Sequence, residues 1–516
     1  MITVYRLQVS GLQAVTYTLQ FAGTKVEMKF MPIKRVLVAP AALIVLCTSL
    51  LAQTAGTAGQ GTMASYAAAQ AGSAVSFQAA DYGGSQSPLM GGIPSGTATK
   101  EVLPLSFSEA LRRGLEHNLG NILSEHALQA TRGARLLALS QLLPKVEADV
   151  TDSPRQVNLE AFGFKGGGVV GPYNVFDVRA YVSQPVLDLP ALNRYRAEKE
   201  NVRASEFSRQ NTRDAVVFVC SNLYLQAVAS QSRIAANRAQ VQTAQTLYDL
   251  AVDQKAAGVV PGIEVLRAKV ELQARQQRLI VAEDRFAKDK LALARAIGLP
   301  LGQEYSLTDS MSYVPFAVMP LEEAVERAYR ARPDYQSAQA KVRSAEATRK
   351  AAQAGRLPTI GFNGDYGDIG QRPWDSHGTF TVTAILRIPI FQGGSVRARV
   401  IETDALLRQR EAELEDLRGR IFYEVQTAFL DLEAAAEFVQ VAESANSLAN
   451  EQVEQSKDRF RAGVTNNVEV VQAQEALAAA SENYISGLQA HNASKLALAK
   501  AMGISETEYE QFLRGK

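Results

Sequence analysis

Apolar side chains return every seven residues along two long stretches of the chain. The first series runs through Cys220, Ala227, Ile234, Val241 and Tyr248, and the second through Val425, Leu432, Val439, Val453 and Phe460, with Asn446 interrupting it. A seven-residue apolar repeat is the seam of helices that supercoil around one another. A parallel track of Ile421, Ala428, Ala435, Ala442 and Ala449 supplies the other seam position with mostly small side chains, which lets helices approach closely. No proline or glycine stands between Leu192 and Lys255, and those 64 residues would extend ~96 Å as one helix at ~1.5 Å per residue. No compact globule needs such a rod.

A second pattern has period two. Phe380, Val382, Ala384, Leu386, Ile388 and Ile390 alternate with Thr379, Thr381, Thr383, Arg387 and Pro389, and Val178, Ala180 and Val182 give a weaker version earlier in the chain. Alternation of this kind suits a half-buried soluble strand or a tilted transmembrane strand of about 9 to 11 residues. A rod of coiled helices does not require it.

Laid on itself, the chain shows a duplication. Phe107-Ser108-Glu109-Ala110-Leu111 opens a helical stretch reaching Leu143-Pro144, and Leu321-Glu322-Glu323-Ala324-Val325 opens one reaching Leu357-Pro358; Ala110 and Ala324 each stand 34 residues before the proline. Two extended segments follow in each copy, ending at Gln184-Pro185-Val186-Leu187 and Ile388-Pro389-Ile390-Phe391. A very long helical run then stops at Ala257-Gly258-Val259 and at Ala462-Gly463-Val464, 73 and 74 residues after Pro185 and Pro389. The copies close on Lys290 to Gly298 and Lys495 to Gly503, seven identities in nine positions, each glycine suited to a helix C-terminus. Each half therefore reads helix, strand, strand, very long helix, helix. Two halves supply only four strands, too few for a closed barrel, so any barrel is shared among two, three or four chains.

The most apolar stretch, Val36 to Ala52, follows Lys29, Lys34 and Arg35 and precedes a small-residue tract, the order of a secretory signal. At 17 residues with Pro40 inside, it is short for a membrane span. Such signals start near the initiator, yet 27 residues precede Met28, so Met28 or Met31 is the expected start and Gln53 the expected mature N-terminus. Leu46 before Cys47 is bulkier than lipoprotein processing accepts, which argues against lipidation there. The expected division is 1–52 leader and signal, 53–103 disordered low-complexity leader, 104–300 first repeat, 301–320 linker, 321–504 second repeat and 505–516 tail.

Lysine plus arginine total 54 against 53 for aspartate plus glutamate, and the net charge of +1 offers no field for nucleic acid. Cys220 is the only cysteine outside the leader, so no disulfide framework forms. His117, His126, His377 and His491 show no metal-ligand spacing, and no nucleophile elbow or phosphate loop accompanies them. No catalysis, metal or cofactor is expected. A secreted coiled-coil rod or adhesin remains the alternative reading.

The two copies and their tips, Ala257-Gly258-Val259-Val260-Pro261-Gly262-Ile263-Glu264-Val265-Leu266-Arg267-Ala268 and Arg459 to Ala473 with Gly463-Val464-Thr465-Asn466-Asn467-Val468-Glu469-Val470-Val471-Gln472 inside, resemble the TolC family of outer-membrane efflux proteins from about Leu105 to Gly503. The resemblance implies a mainly α fold with a small β part: a trimer whose coiled-coil barrel of long helices continues into a shared twelve-stranded barrel in outer-membrane lipid. It implies a channel in a tripartite efflux or type I secretion system, with an inner-membrane pump and a periplasmic adaptor as partners. It also places the periplasmic constriction at Glu469, with Gln472 where the family has a second acid, Thr465 where some members have a basic link, and Glu264 on the other hairpin. The adaptor is expected to touch the tips at Gly258, Val259, Gly463 and Val464.

Overall fold

The computed structural model describes residues 15–21, 24–30, 87–316, 319–462, 464–465, 467–504 and 506. Strands β1 (Val15–Phe21) and β2 (Thr24–Phe30) form an antiparallel hairpin that crosses Met28. The expected signal, Cys47, the mature start, most of the leader and most of the tail lie outside the described residues.

The leader is ordered from residue 87 onward, contrary to the expected disorder to residue 103. Leu89 and Leu103 pack against the core of the first repeat, and hydrogen bonds hold the rest. Ile93 N donates to His117 O (2.9 Å), Ser95 N to Gly298 O (3.1 Å) and Leu119 N to Gly91 O (2.9 Å). Strand β3 (Leu103–Leu105) pairs in parallel with β6 (Tyr305–Leu307), so the expected 301–320 linker carries a strand of its own.

The opening helix of each repeat is broken, where the sequence suggested one continuous stretch. Helix α1 (Phe107–His117) starts at an N-cap, Ser106 Oγ accepting from Glu109 N, and gives way at Asn118 to α2 (Leu119–Ser140). Asn118 is fully buried: Oδ1 accepts from Gly120 N (2.9 Å), and Nδ2 donates to Leu89 O (2.7 Å) and Ala296 O (3.1 Å). In the second repeat α5 (Leu321–Ala331) and α6 (Pro333–Ala354) break at Arg332. Arg332 Nη1 donates to Ala501 O (3.2 Å), and Ala501 matches Ala296 in the duplication. One position thus ties the break to the last turn of the repeat, through an amide in one copy and a guanidinium in the other.

After α2 come β4 (Lys145–Asn158) and β5 (Val169–Leu187), then α3 (Leu189–Ala256) and α4 (Gly262–Ala296). After α6 come β7 (Thr359–Gly370), β8 (Ser376–Arg387), α7 (Ser395–Arg461) and α8 (Asn467–Ala501). Helix α3 has 68 residues and α7 has 67, roughly 100 Å each at ~1.5 Å per residue. The two repeats have matching cores. Leu105, Phe107, Ala110 and Leu111 pack on Val216, Cys220, Tyr224, Leu293 and Ile297, and Ala324 and Ala328 pack on Ile421, Val425, Leu432, Leu498 and Met502.

Along α7 both seam tracks are buried as their spacing requires, and half-exposed Asn446 accepts a hydrogen bond from Ser481 Oγ of α8 (2.8 Å). Along α3 the seam is kept only through Cys220, Ala227 and Ile234. It then steps to Ala244, Leu247 and Ala251, while Val241 and Tyr248 are half-exposed. The three-residue step from 241 to 244 shifts the buried stripe to a different line along the helix.

Candidate functional site

The four long strands form one antiparallel sheet in the order β4-β5-β7-β8. Its register gathers like side chains on like faces. Val146, Val182, Gly364 and Val382 stand in one row, and Ala148, Ala180, Tyr366 and Phe380 in the next. Antiparallel partners project to the same side, so one face is apolar across all four strands. The opposite face carries Glu147, Asp149, Asp177, Arg179, Asn363, Asp365, Thr379 and Thr381. Arg179 ion-pairs with Asp365 and with Asp177 (3.3 Å) and donates to Thr379 Oγ1 (2.8 Å), so the polar face is internally bonded. Phe380 is 74% exposed and Val382 64% exposed, an apolar surface that none of the described residues covers. Strand β8 ends at Arg387, short of the expected Ile388 and Ile390, because Pro389 has no N–H to continue the ladder.

At the far ends of the long helices are the reversals. Gly258 has φ +73°, and Val259 N closes back on Gln254 O (2.8 Å). The second tip makes the same closure, Val464 N to Arg459 O (3.0 Å). The first is a helix C-terminal motif that uses a left-handed glycine after the last turn. Val259 and Val464 are exposed; Gly463 and Asn466 lie outside the described residues, as does the side chain of Asn467.

Glu469, in the first turn of α8, accepts a hydrogen bond from Thr465 Oγ1 and lies 3.5 Å from Arg459 Nε. Thr465 is thus its donor, and Arg459 is a cation beside it that the sequence did not single out. Gln472 lines an apolar groove of about 390 Å³ between α4 and α8 with Ile263, Leu266, Val270, Val468 and Val471. Glu264 is not on this rim. It is only 8% exposed, on the inward stripe of α4 with Ala268, Leu272 and Arg275; Oε1 accepts from Arg267 Nη1 (2.7 Å), and Oε2 has no partner. Its position in the first turn also suits the helix dipole.

Further along α4, Arg275 is 1% exposed and joins three helices. Its guanidinium donates to Glu271 Oε1 (2.5 Å), to Gln240 Oε1 of α3 (3.1 Å) and to Glu475 Oε1 of α8 (2.9 Å), and Arg278 adds a second contact to Glu475 (3.1 Å). In the sequence Arg275 looks like one more solvated charge on a helix; only the packing of α8 over α3 and α4 buries it. Among the described residues no group of three or more His, Cys, Asp or Glu could hold a metal ion, and no helix is long and apolar enough to cross a membrane.

The profile of the outer membrane efflux protein family matches residues 123–299 and again 324–504, once in each repeat. The pyoverdine export outer membrane protein OpmQ of Pseudomonas putida is 25% identical over 318 residues, 58% of this chain and 64% of that protein. The probable efflux pump outer membrane protein TtgC of Pseudomonas putida is 25% identical over 391 residues, 73% of this chain and 78% of that one. The chain thus spans a little under two thirds of the length of OpmQ. The crystal structure of the Campylobacter jejuni CmeC outer membrane channel has the same fold, with a TM-score of 0.70 at 18% identity over 79% of this chain and 88% of that one.

Proposed function

Because this chain belongs to the outer membrane efflux protein family, we propose that it is one third of an export conduit, a homotrimer that passively passes what an inner-membrane pump and a periplasmic adaptor deliver. The observation that carries this reading is the sheet with one apolar face, one polar face and unpaired edges on β4 and β8. Lipid does not tolerate an open edge, so other copies must supply the missing neighbours, and three chains give twelve strands. The helices ask for the same closure. Contacts run α4 to α3 to α8 to α7, leaving α4 and α7 at the two ends. Helix α4 exposes Leu266, Val270, Ile280 and Val281, and α7 exposes Leu430, Val441 and Leu448. Packing α7 of one copy on α4 of the next is a head-to-tail contact that closes as a ring.

In such a ring three copies of Glu469 and Gln472 narrow the periplasmic end, with Thr465 fixing the carboxylate and Glu264 buttressing the other hairpin from within. The turns at Gly258, Val259, Gly463 and Val464 face the adaptor. Arg459 offsets part of the Glu469 charge, so cation focusing at the mouth is moderate rather than maximal. By analogy with OpmQ, the cargo is an exported small molecule.

The expected mass in mild detergent is that of three chains; a stable monomer or dimer rules the conduit out. In planar bilayers Glu469→Gln is expected to lower cation preference while leaving the trimer intact. Unchanged reversal potentials under a salt gradient would remove Glu469 from the constriction.

A further inference from the structure

About three quarters of the way along the long helices, toward the reversals, the packing opens. Where the seam of α7 reaches Asn446 instead of an apolar residue, α3 presents the small Ala236 and Ala239 beside Gln240 and Thr243, and a half-open cavity of about 600 Å³ remains between α3, α7 and α8. Its size falls in the range of small-molecule sites. Three features of its wall specify what it takes. Gln474 is 5% exposed, lines the cavity, and its Oε1 has no hydrogen-bond donor. A buried carbonyl oxygen left unbonded is costly, so a donor is missing from the site. Glu443 on α7 makes no ion pair among the described residues, whereas the other two charged groups of the wall, Glu454 and Lys457, pair with each other at 2.8 Å. The cavity therefore keeps one uncompensated negative charge. Tyr484 lines the same wall with Val453 and Leu477, and its hydroxyl is pushed up from the usual range first by burial and then by the charge of Glu443.

We propose that this cavity is a binding site for an organic cation, an ammonium or amidinium group carried on an apolar or aromatic body. The cation faces Glu443 and the π face of Tyr484, its N–H groups satisfy Gln474 Oε1, and the body lies against Val453 and Leu477. The inference rests on the wall chemistry of one chain and does not require the conduit reading.

The probe is ethidium, an aromatic cation that bears amino groups, titrated by fluorescence into the purified full-length protein in detergent. Saturable binding is expected, with no comparable binding of the anionic dye fluorescein. Glu443→Gln should weaken it about tenfold or more, as loss of one partner of a charge pair does. Ala239→Phe, which fills the cavity, should abolish it, and Glu437→Gln, an exposed acid on the same helix, should leave it unchanged. In a Glu443→Cys variant a cationic thiol reagent should react faster than an anionic one, and ethidium should protect. Absence of saturable binding, equal binding of fluorescein, or ethidium binding indifferent to both Glu443→Gln and Ala239→Phe overturns the proposal. So does a Glu443→Cys thiol that no reagent reaches in the oligomer, since the cavity is then filled by a neighbouring chain.

Discussion

At the scale of single residues, two glycines show how tightly the repeats are stitched. Gly298 and Gly503 follow the closing helices with φ +63° and +73°, and each lies against the helix break of its own repeat. A Cβ on Gly298 would sit 2.6 Å from His117 Cβ and from Ile93 O, and one on Gly503 would sit 2.7 Å from Arg332 Cα. Substituting either by alanine adds both backbone strain and a clash, and is expected to cost about 1–3 kcal/mol in denaturant unfolding. Gly302, with φ +81° and open space around it, should lose less. Two buried titrating groups act in opposite directions. Burial pushes the Asp214 carboxyl up to about 6, with Glu506 N donating to it at 3.0 Å, and burial together with nearby Lys495 pushes His491 down to about 4. Between about pH 4 and 6 the folded chain keeps a proton on Asp214 that the unfolded chain has released, so stability from this residue falls as pH rises. Over about pH 4 to 6.5 the folded chain lacks a proton on His491 that the unfolded chain holds, so stability from that residue rises with pH. Relative to the unsubstituted protein, Asp214→Asn should tilt the pH profile of the unfolding midpoint upward across this window and His491→Phe should tilt it downward, each by about 1–3 kcal/mol. Parallel profiles for all three proteins would show that neither group titrates differently on folding.

At the scale of elements, the clasp at Arg275 makes a local prediction. Arg275→Met removes a buried cation from between Glu271 and Glu475, leaves Glu271 without its partner, and is expected to cost about 1–3 kcal/mol. Because the clasp joins α4 to α8, hydrogen exchange should quicken in the first turns of both helices more than in the β4-β5-β7-β8 sheet. The long helices, the repeat and the reversals at Gly258 and Val259 were legible because each follows from a local rule: a sustained apolar period, the absence of breakers, and a glycine at a helix end. The helix breaks were not, because Asn118 and Arg332 gain their meaning from carbonyls 178 and 169 residues away. The order of residues 87–103 was hidden for the same reason, since composition registers missing apolar bulk but not hydrogen bonds to distant strands and turns. The seam step in α3 was hidden because Ala244, Leu247 and Ala251 offer a second apolar line that the seven-residue series through Val241 and Tyr248 does not distinguish. At the tip, Glu469 and Gln472 were singled out through the family resemblance of the residues around them, and their place in a constriction is a proposal. Burial of Glu264 could not be, since the same first-turn acid fits a solvated helix start equally well.

At the scale of the whole molecule, the described residues leave apolar stripes on α4 and α7 and bare edges on β4 and β8. The proposed trimer has a genetic consequence. In that ring every edge meets an edge of another copy, so a subunit whose β8 rim is spoiled, for instance by proline at Thr381 and Thr383, still offers a sound β4 rim and is drawn into assembly with normal subunits. One such member leaves a gap in the whole ring. With equal amounts of normal and spoiled chains mixing at random into threes, only roughly one ring in eight is free of the defect. Co-expression should therefore depress export far below the half that simple dilution allows, and a shortfall of no more than half would mean that the copies do not share a barrel.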